Sequence, residues 1–195
     1  MKVLGILGSP RPDGNTATLL RHVLEGAAAQ GATTTTISAN NLTVRDCTNC
    51  DGCKRTGQCV LNDDMQEIYS KINESDVIIL ASPNYMGGIA GNLKLVIDRL
   101  YLYISVTETG ELRTTIQSSK NVALLITQNA PEEYTQYSAA FTPLRGILHL
   151  IFQGNFDTPA ELLVAPSMKG PRSVADNAQL LQKAYALGAG LVQKK

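Results

Sequence analysis

A doubly wound α/β fold is predicted: a five-stranded parallel sheet in the order 2-1-3-4-5, covered by helices on both faces to make three layers. Three observations carry the prediction. Short apolar runs alternate along the chain with segments whose apolar residues recur at helical spacing. The runs are almost continuously apolar, as strands buried on both faces of a parallel sheet must be. Polar loops follow the first, third and fourth runs, and an open sheet of this order places its ligand at the carboxyl ends of those strands. The chain has 195 residues, 44% apolar and 17% charged, which suits one globular domain over residues 1–195.

The first strand is read at residues 3–7, an apolar run leading into a glycine loop. Asn15 or Thr16 can cap the helix that follows. Leu19, Leu20, Val23, Leu24, Ala27 and Ala28 form its apolar stripe, and Gly31 ends it. Residues 33–38 are threonine-rich and read as the second strand. A polar segment holding every cysteine of the chain runs over about residues 45–61. Asp63 or Asp64 is expected to cap a short helix carrying Met65, Ile68 and Ile72 on one side. Residues 76–81, DVIILA, give the third strand, followed by the loop SPNYMGG. A helix is expected over 89–104, with Leu93, Val96, Ile97 and Leu100 facing inward. The polar stretch 105–119 is irregular, with a tight turn at Thr109-Gly110, and is placed as a lid or a subunit contact. Residues 122–127 form the fourth strand. A long helix over 132–152 bends at Pro143. The fifth strand lies within 156–164, interrupted by Pro159, and Ser173 caps a last helix.

Charge and hydropathy argue against several functions. Lysine plus arginine equals aspartate plus glutamate at 17 each, so the formal net charge is zero. Nothing in that balance favours nucleic acid, and no basic run marks a membrane surface. No apolar run reaches the length of a membrane span, and the start turns into a glycine loop too early for a signal peptide. A cytoplasmic protein is expected, and in that compartment four cysteines call for an explanation other than disulfides.

The loop GSPRPDGNT, residues 8–16, joins the first strand to the first helix. A helix start offers unpaired N–H groups and the positive end of the helix dipole, and Gly14 lets backbone approach an anion. Ser9 and Thr16 add hydroxyls, Asn15 an amide and Arg11 a forked cation. The nucleotide-triphosphate pattern G-x-x-x-x-G-K-[ST] is absent, as is the dinucleotide pattern G-x-G-x-x-G. What remains suits one terminal phosphate monoester; an ordinary strand-to-helix turn is the alternative. Cys47, Cys50, Cys53 and Cys59 read C-x2-C-x2-C-x5-C. The first three match the compact run that holds a [4Fe–4S] cluster, and thiolates are soft ligands. Zinc sites more often divide two C-x2-C pairs by a longer stretch.

GSPRPDGNT, CTNCDGCKRTGQC, DDM and SDVIILASPNYMGGIAGNLKLVIDR, in that order over residues 1–100, resemble the flavodoxin-like NAD(P)H-dependent FMN reductases, and within them the iron–sulfur flavoprotein branch. The resemblance implies a flavodoxin-like three-layer sandwich. It gives the phosphate to FMN, with Ser9, Arg11, Asn15 and Thr16 as its ligands. It places the loop of Pro83, Asn84, Tyr85, Met86 and Gly87 at the isoalloxazine ring: Pro83 and Tyr85 packing on it, backbone N–H groups of residues 84–87 at its polar edge. Without the resemblance that loop is equally a turn made by Pro83 and two glycines. Thr127, Gln128 and Asn129 are weaker candidates for the ring's other side. Cys47, Cys50, Cys53 and Cys59 either hold a [4Fe–4S] cluster or form an empty loop, as both kinds of member occur. An Asp-Arg pair, here Asp98-Arg99, sits at the same point in such proteins; a local salt bridge is the plainer reading. A homodimer or tetramer is implied.

The function expected is an oxidoreductase taking electrons from NAD(P)H as cosubstrate through FMN, with the chemistry on the flavin and no catalytic acid or base. Its acceptor would be a quinone, a flavin, a nitro or azo compound, or an iron–sulfur partner. Two rivals stand beside it. One is an iron–sulfur flavoprotein electron carrier without its own NAD(P)H dehydrogenase activity, against which the balanced charge argues. The other is a thiol-based sensor, which leaves the phosphate loop unexplained.

Overall fold

The computed structural model of the chain describes residues 1–156 and 159–193. In chain order its elements are β1 (Lys2–Leu7), α1 (Asn15–Ala29), β2 (Thr33–Ser38), α2 (Gly52–Thr56), α3 (Met65–Glu74), β3 (Val77–Pro83) and α4 (Gly91–Arg99). They continue with β4 (Ile104–Val106), β5 (Leu112–Thr114), β6 (Asn121–Thr127), α5 (Thr135–Ala139), α6 (Thr142–Gln153), β7 (Glu161–Ala165) and α7 (Ala178–Leu191). The main sheet is parallel, in the order β2-β1-β3-β6-β7. With the short antiparallel pair β4–β5 set aside, this is the expected 2-1-3-4-5. Among the described residues no helix is long and apolar enough to cross a membrane.

Strand alternation divides the core into two layers. Leu4, Ile6, Ile78, Leu80, Val122, Leu124 and Ile126 point to one face and pack on α3, α4 and α6 through Ile68, Ile72, Leu93, Val96, Leu148 and Ile151. Val3, Val77, Ile79, Ala81, Ala123, Leu125 and Ala165 point to the other and meet α1 and α7 through Leu19, Leu20, Val23, Leu180 and Ala184. Small residues on the second face let α1 lie close over the sheet centre. Its first turn therefore sits at the carboxyl ends of β1, β3 and β6. The two helices of that face also touch backbone to backbone. A Cβ built on Gly26 would lie 2.0 Å from the Tyr185 carbonyl oxygen, and one on Gly188 would lie 1.8 Å from that of Val23.

Several boundaries differ from expectation, each for a local reason. The cap position of α1 is Gly14, and neither Asn15 nor Thr16 caps it, because both side chains are engaged elsewhere. The helix expected over 89–104 tightens into a 3₁₀ turn after Arg99 and then enters β4. The stretch 105–119 is not irregular throughout: from Ile104 to Thr114 it forms the hairpin β4–β5, turning at Gly110, whose φ is +85°. The helix expected over 132–152 is two, and Pro143 does not bend it but sits in the first turn of α6, where a missing N–H costs nothing. The last strand begins only after Pro159. Asn177, not Ser173, caps α7, its Oδ1 accepting from the Leu180 N–H at 3.0 Å. Asp64 caps nothing by its side chain, which accepts instead from the Thr43 N–H at 2.7 Å.

Candidate functional site

The loops after β1, β3, β6 and β7 enclose one cavity of about 210 Å³. Its walls are Ser9, Arg11, Gly14, Asn15 and Thr16, then Pro83, Asn84 and Tyr85, then Thr127, Gln128 and Asn129, and last Met168 and Pro171. Ser9, Arg11, Asn15 and Thr16 thus share one space with Pro83, Asn84 and Tyr85, whereas Met86 and Gly87 of the same predicted group lie outside it. Gly14 leaves the α1 start without a side-chain cap, and the first turn carries no acidic residue. Its N–H groups and dipole are therefore available to an anion. Ser9 is nearly buried and its hydroxyl accepts from the Arg11 N–H at 3.2 Å, which turns the loop back toward the helix. Among the described residues the Arg11 guanidinium meets no carboxylate.

The second loop is a tight turn. Tyr85 and Gly88 exchange backbone hydrogen bonds of 2.9 and 3.0 Å, with Met86 and Gly87 at the tip, φ +52° and +81°. Both central residues at positive φ make a hairpin turn of the primed kind. The Asn84 N–H is given to the Thr127 carbonyl at 2.7 Å and the Tyr85 N–H to Gly88. Of the four backbone donors expected over 84–87, only those of Met86 and Gly87 stay uncommitted among the described residues. The Asn84 amide donates to the Gln128 side chain at 3.2 Å, and the Thr16 and Thr127 hydroxyls meet at 2.7 Å. These two bonds tie the three loops to one another. An open cleft of about 350 Å³ adjoins the cavity, shares Asn84, Gln128 and Asn129 with it, and adds Met86, Gly87 and Tyr137.

The four cysteines line a separate, smaller cavity on the other side of the molecule's polar loops, together with Arg99 and Tyr101. All four are free thiols. Asn49 and Asp51 are left-handed, φ +50° and +54°, which coils the segment ahead of α2; Cys50 is exposed and Cys47, Cys53 and Cys59 are half-buried. The Cys50 thiol is pushed down by the Gly52 backbone N–H; burial pushes the Cys53 thiol up. The donor set suits a soft metal or cluster, but the space does not as it stands. It measures about 20 Å³, room for roughly one water. Among the described residues no three His, Cys, Asp or Glu converge on a metal-ion position. A cubane would have to spread these thiols apart.

Arg99 is the largest departure from the sequence reading. It does not pair with Asp98, which takes Lys94 instead. Its side chain is buried and runs to Asp63, with Nη1 2.8 Å from Oδ2 and Nη2 3.2 Å from Oδ1. Nη1 also donates to the Arg45 carbonyl at 2.9 Å and Nη2 to the Cys59 sulfur at 3.2 Å. Asp63 accepts further from the Arg45 and Met65 N–H groups at 3.0 and 3.2 Å. Burial alone would raise its carboxyl, yet these bonds hold it below the usual carboxylate range. Asp63 is thus the anchor of a buried pair before it is a helix cap. Sequence reasoning also passed over Met168 and Pro171. The proline and glycine cluster after the fifth strand was the available signal, since that strand too ends at the ligand edge of the sheet.

Known proteins agree with the fold and with parts of the sequence. An iron–sulfur flavoprotein of Methanocaldococcus jannaschii is 46% identical over 99 residues, covering 51% of each chain. One from Methanosarcina thermophila is 41% identical over 102 residues, 52% of this chain and 53% of that one. The matched stretch thus spans about half the length of these curated relatives. The solved structure of a NAD(P)H:quinone oxidoreductase from Methanothermobacter marburgensis superposes with a TM-score of 0.76 at 17% identity, covering 98% of both chains. An FMN-dependent NADH-azoreductase from Bacillus anthracis, solved with FMN, gives 0.69 at 16% and the same coverage. At such identities these two attest the fold alone. Residues 1–140, most of the chain and three of the four loops that wall the cavity, match the family described as NADPH-dependent FMN reductase, and the chain belongs to that family.

Proposed function

We propose that this chain binds FMN in the cavity at the strand ends and works as an NAD(P)H-dependent oxidoreductase. One observation carries the reading: an uncapped helix start and Arg11, which meets no carboxylate among the described residues, open into the same cavity as Pro83, Asn84 and Tyr85, with the Met86-Gly87 turn in the cleft beside it. FMN, when bound, supplies hydride acceptance and electron transfer. The chain's residues do the rest. The α1 N–H groups, the Ser9 hydroxyl and Arg11 take the phosphate dianion. Pro83 and Tyr85 give the ring an apolar flank, and Met86 and Gly87 offer it backbone donors. Thr127, Gln128 and Asn129 close the opposite side. No general acid or base is needed for that transfer. The adjoining cleft beside Tyr137 supports a site for the nicotinamide and for a planar acceptor of the quinone, flavin, nitro or azo class. Tyr85, Met86 and Tyr134 stand exposed near that cleft, which supports a second copy of the chain covering them. Sedimentation at equilibrium checks that, a monomer at micromolar concentration counting against it.

The test is anaerobic. FMN is titrated into the apoprotein and NADH or NADPH is added. Bound flavin whose visible bands bleach supports the reading; protein that stays colourless with FMN in excess sinks it. Arg11→Ala is expected to weaken FMN binding about tenfold to a hundredfold, the worth of a charge-assisted hydrogen bond, while riboflavin, which lacks the phosphate, binds as before. Iron and acid-labile sulfide measured on the same anaerobic sample decide whether Cys47, Cys50, Cys53 and Cys59 hold a [4Fe–4S] cluster.

A further inference from the structure

The Asn15 side chain, in the cavity wall, is committed to the loop after β7. Its Nδ2 donates to the Gly170 carbonyl at 2.7 Å and its Oδ1 accepts from the Val174 N–H at 3.0 Å. Only one orientation of the amide satisfies both partners, so the arrangement fixes the side chain as well as the loop. The loop it holds is the segment between β7 and α7, which crosses the cavity through Met168 and Pro171. At its other end the segment is pinned by the Met168 N–H on the Gln128 carbonyl at 2.9 Å and the Ser167 N–H on the Ala130 carbonyl at 3.0 Å. Ser167 reaches that position with φ +60°. Between the two ends the Ser173 hydroxyl closes a small ring, accepting from the Gly170 N–H at 2.9 Å and donating to its carbonyl at 3.0 Å. The strap is thus fastened at both ends of the cavity it crosses, with one fastening made by a single side chain.

We infer that Asn15 is a positioning residue: it latches the 167–174 strap over the cofactor cavity, and its side chain acts on FMN through that strap rather than by gripping the phosphate. The inference rests on the FMN reading for its effect on affinity, but not for the latch itself. It also assigns a task to a part of the chain beyond the family match, which ends at residue 140. A phosphate ligand and a latch differ in two observables. Loss of a phosphate ligand weakens FMN and spares riboflavin. Loss of a latch weakens both alike, because Met168 and Pro171 are part of the wall around the cavity that both flavins would occupy. It also frees the strap, which carries two exposed trypsin sites at Lys169 and Arg172.

Asn15→Ala and Asn15→Asp are compared with wild type in limited trypsinolysis without cofactor, cleavage being assigned by fragment mass, and in FMN and riboflavin titrations. Asn15→Ala is expected to speed cleavage after Lys169 and Arg172 about tenfold, since proteolysis tracks the opened population and two hydrogen bonds are lost. Asn15→Asp keeps the acceptor for Val174 and should fall between. FMN and riboflavin affinities should drop by the same factor in Asn15→Ala, whereas Arg11→Ala drops FMN alone. Unchanged cleavage at the two sites, or an FMN loss that spares riboflavin, overturns the latch. Wild type that binds neither flavin overturns the FMN reading, and the cleavage rates still decide the latch. Cleavage spread over the whole chain of a variant would mark global unfolding, and Asn15→Asp, nearly isosteric, then gives the decision.

Discussion

Gly188→Ala is expected to destabilise the domain by about 3 kcal/mol or more, at the top of the range for overpacked cores. The added methyl would sit 1.8 Å from the Val23 carbonyl oxygen and 2.7 Å from its carbonyl carbon. Neither atom belongs to a side chain that can turn aside. Both are helix backbone, so α1 and α7 must move apart, and Val23, Ala27 and Ala184 lose their contacts with them. Helix propensity runs the other way: alanine is better than glycine by about 1 kcal/mol in a helix interior. That gain is visible at Gly190, also in α7, where a Cβ would meet nothing within 4 Å. Urea denaturation of both variants reads the difference. Gly190→Ala should unfold at a higher midpoint than wild type and Gly188→Ala far below it. Equal midpoints would mean that the two helices can slide without cost, and the packing account would fall.

The second large effect is at Arg99. Arg99→Ala leaves the Asp63 carboxylate buried without its partner, a change that costs about 3–5 kcal/mol when the pair is enclosed. The pair has side-chain exposures of 1% and 5%, so little solvent is present to soften the loss. Its pH dependence has a definite sign. The Asp63 carboxyl lies below its ordinary value in the folded chain. Its contribution is therefore complete above the unfolded carboxylate value of about 3.9 and is lost as pH falls through the lower folded value. With Arg99 gone, its hydrogen bonds and charge no longer oppose burial, and the carboxyl should rise from its present position, held only by the Arg45 and Met65 N–H groups and the Arg45 side chain 3.8 Å away. The variant should then begin to acid-denature at higher pH than wild type, followed by far-UV circular dichroism between neutral and acid pH. An acid midpoint that does not move would show that the hydrogen bonds from the Arg45 and Met65 N–H groups hold Asp63 without the arginine.

What could be read from the sequence and what could not follow from the range of the forces concerned. The sheet order and layers were legible because each strand is a short apolar run and parallel strands leave few topologies. Ser9 and Arg11 were legible as polar groups of one cavity because a loop between a strand and a helix start carries its chemistry in adjacent residues, whereas Pro83 and Tyr85 were singled out only through the family resemblance. Asn15 was legible as a polar group at the right place, but not as a tie to Gly170 and Val174, which are remote in the chain. Arg99 was misread for the same reason. Its neighbour Asp98 is the nearest carboxylate in sequence, whereas Asp63 is the nearest in space, and only burial of the whole α3–α4 face decides between them. Pro143 shows the opposite failure: a residue with a strong local rule was given the wrong half of that rule, a bend where it makes a start.

The close crossing at Gly26 and Gly188 joins the second and the last of the major elements, and it therefore sets a schedule. During synthesis α1 is complete long before α7 exists. At a ribosomal rate of roughly 5–20 residues per second, the stretch of about 150 residues between them takes about 7–30 seconds to emerge. Through that interval the stripe of Leu19, Val23 and Ala27 has half its cover, and β6 has an open edge until β7 arrives. The stretch that carries the family's signature is thus not a unit that can finish folding by itself. A nascent chain of this protein should keep that stripe incompletely covered until α7 clears the exit tunnel and the two glycines meet.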